Sequence, residues 1–189
     1  MDGTLTDARK PINPKFHEFL LDFICNHRCI IVTGSDRPKT LEQLGLTLTN
    51  TFYRTYHCSG NHAFIGSKEE YRNTWKIGKE HYKFLNDQLN TSNYSEKTGE
   101  HIEQRIGSVN FSIVGRNASW DERKNFAEWD KIHQGRTLTA LAFNKTFDDV
   151  VAQVGGETSI DIFPQGYDKS QICKHYRDSK TIFFGDKCM

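Results

Sequence analysis

Apolar positions fall into two kinds of pattern along the chain. Phe16, Phe19, Leu20, Phe23 and Ile24 recur at three- and four-residue spacing after Pro14, which predicts an amphipathic helix over 14–27. Residues 29–32 (Cys-Ile-Ile-Val) form a short continuous apolar run, the mark of a buried strand in a parallel sheet. Thr33-Gly34-Ser35-Asp36 breaks that run and offers Ser35 or Asp36 as the cap of a helix through Leu41 and Leu44. Strand, polar loop and helix in this order are the repeating unit of α/β domains. Near the other end, 168–176 reads as a helix and Thr181-Ile182-Phe183-Phe184 as another short buried strand, running into Gly185-Asp186.

Between these segments the period changes. Val109, Phe111 and Ile113 alternate with Asn110, Ser112 and Val114. Residues 158–163 alternate too, with Ser159 and Asp161 on one face and Thr158, Ile160 and Ile162 on the other. Both segments predict antiparallel strands with one face covered. A polar stretch over 85–100 predicts a helix end followed by a surface loop. The expected architecture is therefore an α/β core with a parallel sheet, divided by an inserted antiparallel α+β domain. The core's first part is expected at 1–74, the insert at 75–166 and the second part of the core at 167–189.

Composition narrows the function classes. A chain of 189 residues with 36% apolar side chains can bury a sizeable core. Its 25 basic and 24 acidic side chains leave a net charge of +1, which supplies no field for nucleic acid or anionic lipid. No apolar window of about 18 residues predicts a membrane span. The opening MDGTLTDARK has no apolar core of a secretory signal. The expected location is cytoplasmic, with Cys25, Cys29, Cys58, Cys173 and Cys188 as reduced thiols. Cys25, His27 and Cys29 lack a second ligand pair for zinc, and no P-loop or dinucleotide glycine motif is present.

Four short segments carry candidate chemistry. Asp2-Gly3-Thr4-Leu5 can present a carboxylate and backbone N–H groups to a phosphoryl group. Thr33-Gly34-Ser35-Asp36 ends a predicted strand, where hydroxyls and amides can hold phosphate oxygens. Lys169, at a predicted helix start, is a point charge able to neutralise a carboxylate and a phosphate together. Asp186 closes the last predicted strand with an oxygen donor suited to Mg²⁺. A further group, Arg105, Arg116 and Arg123, puts three guanidinium forks within nineteen residues, a density that suits a phosphate dianion better than a neutral sugar.

DGTLT, a strand-terminal TGSD, a Lys and a strand-terminal GD, in this order, resemble the haloacid dehalogenase superfamily of phosphotransferases. Residues 105–123 and the run from Gly155-Gly156 through Ser159, Asp161 and Asp168-Lys169 are similar to the cap domain of eukaryotic-type phosphomannomutases. The resemblance implies a haloacid dehalogenase-like core with an inserted cap, a homodimer through the caps, Mg²⁺, and a hexose 1,6-bisphosphate as intermediate and activator. It implies interconversion of mannose 1-phosphate and mannose 6-phosphate for GDP-mannose supply. By the same resemblance Asp2 is the general acid/base, Ser35 or Thr33 and Lys169 hold the phosphoryl group, and Asp2 with Asp186 hold the metal. Arg9, Arg105, Arg116, Arg123, Ser159 and Asp161 match the substrate-binding positions. The family's DxDGT motif also implies a nucleophilic Asp one residue before Met1, and its GDKxMPGGND segment runs past Met189. The expectation is thus a sequence lying within a longer enzyme, the alternative being a protein without turnover. Two other functions share these residues: a sugar-phosphate phosphatase of the same superfamily and a non-catalytic sugar-phosphate-binding protein.

Overall fold

Asn13 starts the first helix by accepting hydrogen bonds at Oδ1 from the amides of Lys15 and Phe16, with Pro14 at the first helical position. This helix, α1 (Pro14–Asn26), buries Leu20 and Ile24. They meet Ile31, Leu44, Leu48 and Phe52, while Phe19 stays 60% exposed on the outer face. The computed structural model containing it describes residues 1–7 and 10–186; Arg9 and Cys188 lie outside them. The chain divides into two units, one built from Met1–Asn73 and the chain after Gly166, the other from Thr74–Gln165.

In the first unit, β1 (Ile30–Val32) feeds α2 (Arg37–Leu44) through the TGSD loop, and Asp36 caps α2 by accepting from the Lys39 amide. Gly45, at φ 79°, turns the chain into α3 (Leu46–Thr51). Next come β2 (Arg54–His57), β3 (His62–Ile65) and β4 (Lys68–Arg72), giving the sheet order β1-β2-β3-β4. Only β1 and β2 run parallel; β2-β3 and β3-β4 are antiparallel. The expected parallel sheet is therefore a mixed one. The reason is the short turn at Cys58–Asn61, which can reverse a strand but cannot carry a crossover.

The segment after Gly166 departs from expectation twice. The predicted helix is a 3₁₀ helix, Lys169–His175, whose cap Asp168 accepts from the Ser170 amide and whose Ile172 packs on Tyr56 and Ala63. The predicted strand at 181–184 does not form, and Ile182, Phe183 and Phe184 are exposed. A buried strand needs a ladder partner for its backbone groups, and none of the described strands pairs with this run.

The second unit holds α4 (Lys79–Thr91), β5 (Ile102–Arg105), β6 (Ser108–Phe111), α5 (Trp120–His133), α6 (Gly135–Thr146), β7 (Val150–Gly155) and β8 (Ser159–Pro164). Its sheet is antiparallel throughout, in the order β5-β6-β8-β7. Val109, Phe111, Ala152, Ile160 and Ile162 line one face and bury against Leu85, Phe126 and Phe143 of the helices. Asn110 and Ser112 are buried as well, so that strand is covered more completely than its alternation predicts. A row of polar residues crosses the other face, pairing Glu103 with Asn110, Asn110 with Asp161 and Asp161 with Gln153.

Helix α5 begins with a reciprocal capping box between Ser119 and Glu122. Ser119→Ala is expected to cost about 1 kcal/mol of second-unit stability. Urea unfolding followed by tryptophan fluorescence measures it, and an unchanged midpoint refutes it.

Candidate active site

The first candidate group surrounds Asp2. Gly3, at φ 73°, lets residues 1–6 close into a tight turn in which the amides of Thr4, Leu5 and Thr6 all point at the Met1 carbonyl. The Gly3 amide donates to the Thr6 carbonyl at 2.8 Å. These N–H groups, expected to face a phosphoryl group, are thus spent inside the turn, and the Asp2 carboxylate is what the motif presents. A Cβ placed on Gly3 would meet Asp186 Oδ2 at 3.0 Å, so the Asp186 carboxylate lies against that turn. The Met1 amino group lies among the same residues. Lys169, Asp2 and Asp186 all act electrostatically at that nitrogen, and all three thus lie within electrostatic reach of it.

Gln43 on α2, almost wholly buried, donates from Nε2 to Asp2 Oδ1 at 2.8 Å and to Thr6 Oγ1 at 3.1 Å. The TGSD loop is fixed from behind. Thr33 is buried and its Oγ1 accepts from the Ser35 amide, whereas the Ser35 hydroxyl makes no hydrogen bond among the described residues. Cys58 and Ser59, both in the left-handed region at φ 51° and 58°, donate their amides to the Ser35 and Thr33 carbonyls. Two consecutive non-glycine residues in that region cost energy and are retained where the surroundings hold them. Of the two hydroxyls, that of Ser35 is the one left without a hydrogen bond among the described residues.

Asp2 and Asp186 supply carboxylate oxygens, the donor type that a hard cation takes. Mg²⁺ commonly takes one or two carboxylates and completes its shell with water and substrate phosphate oxygens. Among the described residues no group of three His, Cys, Asp or Glu side chains gathers to replace those waters.

The second candidate group lies on the polar face of the second unit's sheet. Arg105 lies 2.6 Å from Glu103 Oε2 through Nη2 and 3.7 Å from Asp161 Oδ1 through Nη1. Arg116 lies 3.1 Å from Glu103 Oε2 through Nε and donates from Nη1 to Asn110 Oδ1. Asn110 in turn donates to Asp161 Oδ1 at 2.7 Å. A side chain at Gly155 would land on Asp161 Oδ2, so the carboxylate nests against bare backbone.

Two expected substrate residues have structural work. Arg123 donates to the carbonyls of Ala118 and Arg116 and to Thr158 Oγ1, which braces the loop carrying Arg116. Ser159 donates to the Gly155 carbonyl and closes the β7–β8 hairpin. A depression of about 440 Å³ beside β5, lined by Tyr82, Asn86 and His101, shares Glu103 with this group.

A family model described as eukaryotic phosphomannomutase matches residues 16–189. The chain belongs to that family. A phosphomannomutase of Dendrobium officinale is 36% identical over 203 residues, covering 99% of this chain and 78% of its own. One of Saccharomyces cerevisiae (strain ATCC 204508 / S288c) is 36% identical over 202 residues, covering 100% and 79%. The fold is that of haloacid dehalogenase-like hydrolases. One from Bacteroides thetaiotaomicron superposes with a TM-score of 0.57 at 14% identity, covering 94% of this chain and 73% of its own. Among the described residues no helix is long and apolar enough to cross a membrane.

For this phosphomannomutase-family chain, sequence reasoning missed Gln43, Ser59, Glu103 and Asn110. Glu103 and Asn110 were accessible through strand alternation, since both share the face of Asp161. Gln43 and Ser59 reach their partners only through tertiary folding.

Proposed function

We propose that the enzyme to which this sequence belongs is a phosphomannomutase, interconverting mannose 1-phosphate and mannose 6-phosphate through an aspartyl phosphate and a hexose 1,6-bisphosphate, in the cytoplasm and in support of GDP-mannose supply. One observation carries the reading: an Asp2, Asp186 and Lys169 set in the first unit and a guanidinium set on the second unit's polar face, in a chain of this family. A mutase needs two phosphate-binding sets because its intermediate carries a phosphate at each end. The Asp2 set receives the phosphoryl group in transfer; Arg105 and Arg116 hold the other phosphate, with Arg123 keeping Arg116 in place.

In this reading the phosphoryl group is carried as an aspartyl phosphate on the Asp that the family motif places one residue before Met1; Asp2 takes the proton of the sugar hydroxyl that attacks it and returns one to the oxygen that leaves, with Gln43 holding its carboxylate. Ser35 and Lys169 orient the phosphoryl oxygens. Asp2 and Asp186 would hold Mg²⁺, which would supply charge neutralisation on the transferring group. The second unit is the substrate-binding cap and the place where two copies associate, a point that gel filtration tests.

The deciding experiment is a coupled assay with mannose 1-phosphate and Mg²⁺ on the protein that carries the nucleophilic Asp implied by the motif. Formation of mannose 6-phosphate supports the proposal. Stoichiometric release of inorganic phosphate would make the protein a phosphatase, and calorimetric binding of mannose 6-phosphate without turnover would make it a binding protein. Arg116→Ala is expected to weaken mannose 6-phosphate binding about tenfold, from the loss of charge-assisted hydrogen bonds. Unchanged affinity by calorimetry removes Arg116 from the site.

A further inference from the structure

The guanidinium edges best suited to grip a phosphate are already engaged by a single carboxylate oxygen. Glu103 Oε2 accepts from Arg105 Nε at 2.7 Å and lies 2.6 Å from Arg105 Nη2. That Nε/Nη2 edge is one by which an arginine forks onto two oxygens. The same Oε2 lies 3.1 Å from Arg116 Nε, a buried atom with no well-aligned hydrogen bond. Burial opposes the charge on Arg116; Arg105 and Arg123 add to that opposition, while Glu103 and Asp161 relieve it. Glu103 thus supplies negative charge where guanidinium groups crowd. Its side chain is 36% exposed, so it can turn into water at small cost.

We propose that Glu103 is a built-in anion placeholder, which occupies the arginine edges until a phosphate monoester displaces it. The proposal rests on the reading of this face as a phosphate pocket. With Glu103 in place Arg105 has chiefly Nη1 to offer, and Asp161 Oδ1 already stands 3.7 Å from it. A two-oxygen grip on the Nε/Nη2 edge therefore requires Glu103 to leave. The exchange lowers the affinity for every anion by a common factor, which keeps weak anions off the face. It also speeds release, a property suited to a site that must let go of one end of a bisphosphate and accept the other.

The test is calorimetry at constant ionic strength with inorganic phosphate and with mannose 6-phosphate. It compares the full chain with its Glu103→Gln, Glu103→Ala, Asp161→Asn and Arg116→Ala variants, each checked for folding by thermal melt. Glu103→Gln keeps an acceptor for Arg105 but removes the charge; it is expected to bind both probes about tenfold tighter, and Glu103→Ala likewise. Asp161→Asn removes a charge that does not occupy the Nε/Nη2 edge, and is expected to change inorganic phosphate binding far less. Equal or weaker binding by both folded Glu103 variants overturns the placeholder, as does an equal gain from Asp161→Asn. If no version of the chain binds either probe, the phosphate-pocket reading itself falls. If the unaltered chain binds and Arg116→Ala does not, that reading stands whatever Glu103 does.

Discussion

Gly115→Ala is expected to destabilise the second unit by about 4 kcal/mol, the sum of a left-handed backbone penalty and a forced displacement of packed neighbours. Gly115 sits at φ 92°, and a Cβ there would land on the Thr98 carbonyl oxygen, which is backbone and cannot rotate away. The two segments are pinned on both sides of that contact. The Thr98 amide donates to the Val114 carbonyl at 2.9 Å and the Arg116 amide to the Glu100 carbonyl at 2.7 Å. Relief therefore requires the segments to part, and the next residue in line is Arg116. Trp75, Trp120 and Trp129 all fall within Thr74–Gln165, so tryptophan fluorescence in a urea titration reports this unit. Phosphate binding should weaken in the same variant. A loss below about 1 kcal/mol would show that the crossing yields easily, contrary to the packing argument.

Acid is expected to weaken the first unit through His57. That imidazole is fully buried, with Nδ1 3.1 Å from Thr40 Oγ1 and Nε2 3.0 Å from Thr55 Oγ1. Burial pushes its pKa down to about 4; Arg37 and His62 push the same way, and Asp36 opposes them. His57 is thus neutral in the fold, whereas in the unfolded chain it titrates near 6.5 and binds a proton first. Its neutral burial costs nothing above pH 6.5, and stability falls as pH drops from there toward 4, by about 3 kcal/mol in all. Below pH 4 both states are protonated and this slope ends. Urea titrations between pH 7.5 and 4.5, followed by histidine ring-proton resonances, measure it. A His57→Gln variant should lose the slope; if it keeps the full slope, the acid sensitivity belongs to other groups.

The parts of the fold legible in the sequence are those whose signals are local. Helix α1, strand β1 and the Asp36 cap follow from spacing, an unbroken apolar run and a polar residue at a helix start. Strands β2 to β4 were not legible, because their segment mixes His, Thr, Glu and Arg with aromatics, and β4 is largely exposed, so no apolar run or clean alternation marks them. Helix α5 is largely polar, yet its Ser119-x-x-Glu122 box was a readable start signal. The run 181–184 misled because an apolar run states what can be buried and not whether a neighbouring strand exists to pair with it. Within the site, residue types pointed to Asp2, Lys169, Asp186 and the arginines. Types alone do not show that an arginine braces a loop, as Arg123 does through three acceptors that only the folded loop assembles. Glu103 was passed over since an acid beside arginines reads as solvated surface until distances show it holding two of them.

Asn61 has a consequence for the order of assembly. Its carbonyl and Oδ1 accept from the backbone amide and Nδ2 of Asn73, and its Nδ2 donates to the Tyr167 carbonyl. The polypeptide therefore leaves the first unit and returns to it at one buried residue. Joining those two crossings while the intervening stretch is still an open coil carries a closure entropy of about 4 kcal/mol. Once that stretch has collapsed into its own unit with its ends drawn together, most of this cost has been met by other contacts. During synthesis the later-emerging segment, Ile172 included, should thus dock onto Tyr56 and Ala63 last, as the step that covers an already paired sheet.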